Sequence, residues 1–276
     1  MKIKRVVAAL LLTSSLGLRS FAADPSPVAL ETKSIVTEVQ KAAREGKKSE
    51  QDLAPYLKRF DDLAAKHKDE KTDDVARIQY MKAMIYLQFV DEPDKAAAIL
   101  QQMKKDFPGT KTAQQGDSLL ANIEKQKKAK AIQTQLVEGT KFPDFNEKDL
   151  TGKPLSIANY KGKVVLVDFW ATWCGPCVGE LPNVLKTYEK HHPNGFEIIG
   201  ISLDREEKKL TDFVKEKNMP WQQYYDGLFW NNKLAEKYGI NSIPMTYLLD
   251  GEGKIIGKGL RGEALDEAVT KALAKK

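Results

Sequence analysis

The chain has 276 residues, of which 42% are hydrophobic and 30% charged, and its formal net charge at pH 7 is +6. Four of the positive charges (Lys2, Lys4, Arg5 and Arg19) lie in the first 22 residues, which contain no acidic residue, so the charge without that segment falls to +2. So small an excess argues against a nucleic-acid partner.

Residues 1–22 have the pattern of a secretory signal peptide. A basic start is followed by the apolar run Val6 to Leu12 and by small residues that end in Ser20, Phe21 and Ala22. The run is much shorter than the roughly 20 residues that span a membrane, so cleavage after Ala22 is favoured over an uncleaved anchor. We therefore expect a periplasmic or otherwise exported protein.

Residues 24–135 are predicted to form an all-α helical domain, because apolar side chains recur at helical spacing. Asp52 is expected to cap the second helix, with Pro55 in its first turn, and Pro108-Gly109 to end the fourth. The third and fourth helices, with "DKAAAIL" and "FPGT" (94–100 and 107–110), resemble a tetratricopeptide unit over little more than one repeat. A small bundle with an apolar core is the favoured alternative. Either surface suits a protein partner.

The second half alternates apolar β-type runs with helical patterns, and its first long run is "KVVLVDFW" (163–170). A nearly continuous run of this kind is typical of a central strand that is covered on both faces. Asp168 interrupts it. A carboxylate is costly to bury, so this side chain either has a raised pKa or handles a proton.

Cys174 and Cys177, the only cysteines of the chain, follow this strand directly and precede a helical pattern. Unpaired amides and the helix dipole favour a thiolate at Cys174, which is expected to be exposed, with Cys177 less so. A zinc site lacks further ligands, and a staple across so short a loop adds little stability. A redox dithiol is the favoured interpretation. No metal or cofactor is expected.

"VDFWATWCGPC" (167–177), Pro182 and "INSIPMTY" (240–247) resemble the thioredoxin fold, and the segment 139–170 resembles the TlpA/ResA branch of exported thiol:disulfide oxidoreductases. The resemblance covers residues 137–276. It implies an α/β thioredoxin fold, and an αβ insertion fits a helix over 205–218 and a strand over 221–225. A helix over 228–238, a hairpin over 246–259 and a last helix from Glu263 complete the predicted elements.

The resemblance also implies roles for individual residues. Cys174 would attack a protein disulfide and Cys177 would release the product. Asp168 matches the buried acid of thioredoxin. Glu180 matches a glutamate of ResA-like proteins, with a solvent-facing carboxylate as the alternative. Pro244 would be a cis-proline that exposes the Ile243 backbone to substrate, beside Trp173, Gly175 and Pro176.

Gly175-Pro176 is the residue pair of thioredoxin, which has a reducing potential of about −270 mV, so we expect a reductase. In an oxidising compartment such an enzyme needs electrons from a membrane-embedded donor. A thiol peroxidase of the redoxin branch and a non-catalytic docking protein with a vestigial redox domain remain as alternatives.

Overall fold

The computed structural model describes residues 24–275, so the expected signal peptide lies outside the described part of the chain. The chain divides into two units, one that reaches to Glu124 and one that begins at Lys125. Between residues 24 and 275, no helix has the length and apolar character that crossing a membrane requires.

The described part of the first unit is helical, as its apolar spacing predicts. Its elements are α1 (Pro27–Arg44), α2 (Glu50–Lys66), α3 (Asp73–Ile85), a π-helical turn (Tyr86–Val90), α4 (Pro93–Asp106) and the first part of α5 (Lys111–Gln135). Apolar residues from α1 to α5 form one buried cluster, which includes Ile35, Leu53, Phe60, Leu100 and Met103. The stripe of apolar and aromatic residues is therefore the core of this unit.

The start of α2 differs from the prediction. Ser49 caps the helix: its hydroxyl accepts a hydrogen bond from Asp52 N–H at 3.1 Å, and the Asp52 carboxylate accepts one from Ser49 N–H at 3.2 Å. This reciprocal pair begins the helix three residues earlier than a cap at Asp52 would. Pro55 consequently lies inside α2, past the first turn.

A five-stranded sheet forms the centre of the second unit, in the order β5-β4-β3-β6-β7. Its strands are β3 (Val164–Trp170), β4 (Phe196–Ser202), β5 (Gln222–Tyr224), β6 (Met245–Leu249) and β7 (Ile255–Lys258), and β1 (Glu147–Lys148) pairs with β2 (Pro154–Leu155) beside it. β3 is parallel to β4 and antiparallel to β6. Its apolar side chains are buried because it lies in the middle of the sheet.

The helices of this unit are α6 (Gly175–His191), α7 (Glu207–Glu216), α8 (Lys233–Lys237) and α9 (Glu263–Leu273). With the sheet they form the thioredoxin fold, and α7 and β5 occupy the position of the predicted αβ insertion. The helix predicted over 228–238 is shorter than expected. The Asn232 side chain accepts hydrogen bonds from Leu234 N–H and Ala235 N–H at 3.0 and 2.9 Å, and so caps α8 at that point.

α5 spans the division between the two units, which lies about ten residues before the predicted boundary at 135–137. The last turns of α5 belong to the second unit. There the Gln133 side chain accepts a hydrogen bond from the Tyr247 hydroxyl at 2.9 Å, and Ile132 packs against the core. The boundary at 135–137 stays a prediction.

Candidate redox site

A disulfide bond joins Cys174 and Cys177 at the start of α6, directly after the loop that follows β3. Cys174 is the N-cap of the helix, and its sulfur accepts a hydrogen bond from Cys177 N–H at 3.3 Å. After reduction, this amide and the helix dipole favour the thiolate form of Cys174. Its backbone position is thus one that favours a thiolate.

The two cysteines are equally buried in this disulfide form, at 6% and 7% exposure. The prediction that Cys174 is the more exposed of the two is wrong here. The two sulfurs are bonded, and the Cα atoms are 5.2 Å apart. Both cysteines are therefore largely covered in this form.

A small cavity behind the disulfide brings together four of the residues predicted from sequence: Asp168, Cys177, Glu180 and Pro244. Its volume is about 20 Å³, close to the space that a single water molecule requires. Asp168 reaches the cavity from β3, Cys177 and Glu180 from α6, and Pro244 from the segment before β6. Asp168 and Cys177 therefore border the same space.

Asp168 lies on the central strand, β3, and lines the cavity. In the sheet register it lies between Gly200 of β4 and Thr246 of β6, neither of which carries a charge. Burial, followed by the charge of Glu180, raises the pKa of Asp168 to about 7, and the charge of Arg261 opposes this rise. A carboxyl with this pKa both accepts and releases a proton near neutral pH.

Glu180 is partly buried on α6, one turn after Cys177, and lines the same cavity. Its carboxylate accepts hydrogen bonds from Gly262 N–H, in the segment before α9, and from the Asn183 side chain at 3.3 Å. These contacts fix the carboxylate near Asp168. The functional role of Glu180 stays a prediction.

The Ile243–Pro244 peptide bond is cis, as the resemblance implies. Within residues 24–275, neither the N–H nor the carbonyl of Ile243 takes part in a hydrogen bond. The Pro244 carbonyl accepts a hydrogen bond from the Arg261 guanidinium at 2.8 Å. The backbone of Ile243 is therefore available to a partner, while the next residue is held in place.

Trp173 is 46% exposed and lies directly before Cys174. Its ring packs against Phe229 and Trp230, with centroid distances of 5.0 and 5.9 Å. Gly175 and Pro176 are also exposed, in the first turn of α6. Phe169 and Trp170, in contrast, are core residues. An apolar surface thus borders the disulfide.

Sequence reasoning missed several groups of this site. Phe229, Trp230 and Arg261 come from segments far along the chain, and their residue types alone gave no signal. Asp204 ends the "FEIIGISLD" run and, with the hydroxyl of Ser202, holds the loop before Cys174. An acid at the end of a buried parallel strand was a usable signal, because such strand ends meet at one edge of the sheet.

A family model described as Redoxin matches residues 137–273. The thiol-disulfide oxidoreductase ResA of Bacillus thuringiensis subsp. konkukian is 32% identical over 137 residues, which cover 50% of this chain and 77% of the relative. The protein of the same name from Bacillus subtilis is 29% identical over 119 residues, 43% of this chain and 65% of the relative.

Solved structures give similar matches. The thioredoxin domain of a thiol-disulfide oxidoreductase from Bacteroides vulgatus is 38% identical and has a TM-score of 0.46, with 49% of this chain and 97% of that chain covered. A thiol:disulfide interchange protein from Bacteroides sp. is 37% identical with a TM-score of 0.46, over 51% of this chain and 92% of that chain.

Proposed function

Since the chain belongs to the ResA family of thiol-disulfide oxidoreductases, we propose that it is exported and reduces disulfide bonds of other proteins through Cys174 and Cys177. The observation that carries this proposal is the position of the pair. Cys174 lies at the start of a helix, and Cys177 shares a cavity with a carboxyl whose pKa is about 7.

The first step forms a mixed disulfide. The Cys174 thiolate attacks one sulfur of the substrate disulfide, a new S–S bond forms, and the other substrate sulfur leaves as a thiolate. The helix start supports this role, because its amide already donates a hydrogen bond to the Cys174 sulfur. The leaving thiolate then takes a proton from solvent.

The second step releases the product. The Cys177 thiol gives its proton to the Asp168 carboxylate, directly or through one water, and the Cys177 sulfur attacks Cys174. The Cys174–Cys177 disulfide forms and the second substrate sulfur leaves, so two electrons have passed from the pair to the substrate. Glu180 assists because its negative charge helps burial to bring the pKa of Asp168 from its ordinary acidic value to about 7, so that the carboxylate can take up a proton near neutral pH.

Substrate contacts are assigned to the surface around the disulfide. An extended segment of the substrate pairs with the unbonded backbone of Ile243, and its apolar side chains rest on Trp173. Gly175 and Pro176 complete this surface because they are exposed beside Cys174. Main-chain pairing does not depend on sequence, which suits an enzyme with many protein substrates.

The direction of electron flow follows from the residues between the cysteines. Thioredoxin has the same two residues between its cysteines and a reduction potential of about −270 mV, so Gly175-Pro176 favours a similarly low potential here. A reductase outside the cytoplasm requires a membrane-embedded donor that reduces the Cys174–Cys177 disulfide after each turnover. Equilibration with a glutathione buffer gives the potential of the protein. A value above about −180 mV would contradict the reductase assignment.

Reduction of insulin by the pre-reduced protein tests the activity itself. The wild type should release insulin thiols, Cys174→Ser should release none, and Cys177→Ser should accumulate a covalent complex with insulin. Equal activity of Cys174→Ser and wild type would refute the proposal. Peroxide consumption without any disulfide substrate would support the thiol peroxidase instead.

A further inference from the structure

We propose that Arg261 is a positioning residue of the redox site, which both holds the Ile243–Pro244 segment beside the disulfide and provides the cation that faces Asp168 and Glu180. This inference rests on the proposed function, because it assigns Arg261 a role through the substrate-binding segment and the proton acceptor. Arg261 itself contacts neither sulfur in this assignment.

The first contact is with the backbone. Arg261 lies in the connection between β7 and α9, and its Nη2 donates a hydrogen bond to the Pro244 carbonyl at 2.8 Å. The next residue, Gly262, donates its backbone N–H to the Glu180 carboxylate. Two consecutive residues therefore connect the Pro244 segment with the active-site helix α6.

The second contact is electrostatic. The strands on either side of Asp168 contribute no charge, because its neighbours are Gly200 in β4 and Thr246 in β6. α6 contributes Cys177 and Glu180 to the cavity, and the connection before α9 contributes Arg261. Among the described residues that line the cavity, Arg261 is the only cation. Its positive charge reduces the repulsion between the carboxylates of Asp168 and Glu180.

Removal of the guanidinium has two consequences. The Asp168 carboxyl loses the one charge that lowers its pKa, so it stays protonated at a higher pH and is a poorer proton acceptor near neutral pH. The Pro244 carbonyl loses its donor, so the segment is held less firmly. Because Arg261 is exposed, solvent screens its charge, and we expect a moderate electrostatic effect.

The electrostatic role is tested in the disulfide form, in which the cysteines do not titrate. The carboxyl carbon of Asp168 is followed by NMR as a function of pH, and its signal is assigned by its loss in Asp168→Asn. The wild type should titrate near pH 7. Arg261→Met and Arg261→Gln should raise the midpoint by about 0.5 to 1 pH unit, and Arg261→Lys should restore most of the difference.

The holding role is tested in the pre-reduced protein with a disulfide-bonded peptide. Arg261→Met should raise KM about threefold or more, because the Ile243–Pro244 segment has lost its hydrogen bond. Arg77→Met is the matched control: it removes an exposed arginine that pairs with Asp73 on α3. It should leave both the Asp168 midpoint and KM unchanged.

The outcomes separate the two proposals. An Asp168 midpoint that is the same in wild type, Arg261→Met and Arg261→Gln would overturn the assignment of Arg261, as would an unchanged KM in Arg261→Met. Neither result touches the reductase proposal, which fails if peptide reduction by the wild type does not depend on Cys174 or if the potential of the pair lies above about −180 mV. The titration needs no enzymatic activity, so it remains decisive in that case too.

Discussion

The Asp204 carboxylate accepts hydrogen bonds from both the backbone N–H and the hydroxyl of Thr172, at 3.1 and 2.6 Å. Asp204 is 3% exposed and follows β4, while Thr172 follows β3 and precedes Cys174 by two residues. The Ser202 hydroxyl donates a third hydrogen bond at 2.7 Å. A buried acid therefore fixes the loop that presents Trp173 and Cys174.

Asp204→Ala should lower both stability and activity. The change leaves the N–H of Thr172 and the hydroxyl of Ser202 without their acceptor, and we expect a loss of about 2 to 4 kcal/mol in the free energy of unfolding. A loop held less firmly should also reduce kcat/KM for insulin about tenfold or more. Urea unfolding and the insulin assay measure the two effects.

Asp212→Ala is the control for Asp204→Ala, because Asp212 is an exposed acid of α7 that forms an ion pair with Lys208. This variant should stay within about 0.5 kcal/mol of wild type. If Asp204→Ala behaves in the same way, the carboxylate does not hold the loop.

Asp168→Asn should stabilise the protein at high pH and much less at low pH. The folded-state pKa of about 7 exceeds the ordinary value of 3.8, so the folded state holds the proton more tightly than the unfolded state. The associated stability is complete below pH 3.8 and is lost as the pH rises to about 7. Asparagine remains neutral and avoids this loss.

The difference in unfolding free energy between Asp168→Asn and wild type should grow by up to about 3 kcal/mol between pH 4.5 and pH 8. Guanidinium unfolding of the disulfide form at both pH values measures it. Asp212→Asn, with an exposed side chain, should show no such growth. A constant difference for Asp168→Asn would mean that Asp168 ionises as readily in the folded state as in the unfolded state.

Gly239 and Gly259 both have a left-handed backbone, and comparison of their alanine variants distinguishes steric crowding from backbone strain. Gly239 has φ +64°, and a Cβ there would lie 2.5 Å from the Ala129 carbonyl oxygen in α5; Gly259 has φ +68° and open space around it. Gly259→Ala should cost about 1 to 2 kcal/mol. Gly239→Ala should cost about 1 to 3 kcal/mol more, because the backbone must also shift. Equal costs in thermal unfolding would contradict the close approach.

Local signals predicted much of the redox unit. The apolar run 163–170 predicted the central strand, and the start of α6 at Gly175 follows from the helical pattern after the cysteines. The interrupting acid, Asp168, has the raised pKa that its isolation among apolar residues suggested. Each of these features depends on residues that are close in sequence, and the pattern of apolar and polar residues shows them directly.

Features that depend on distant segments could not be predicted in this way. Arg261 reaches the cavity because the connection between β7 and α9 lies against Glu180 of α6, and Phe229 contacts Trp173 across more than fifty residues of chain. The helix expected over 228–238 failed because one side chain, Asn232, caps it from within. Periodicity does not reveal which loops the topology brings together, nor which polar side chain turns back to the backbone.

The last turns of α5 provide a test of where the second unit begins. Ile132 and Ala129 are packed in this unit, and Gln133 bonds to the Tyr247 hydroxyl. A fragment of residues 125–276 should therefore be more stable than one of residues 137–276. We expect its free energy of unfolding, measured with urea, to be higher by about 2 to 4 kcal/mol. Gln133→Ala in the longer fragment removes one contact of α5 without changing the length of the chain. It should lower the difference in unfolding free energy by about 1 kcal/mol. Equal stability of the two fragments would instead support the boundary at residue 137.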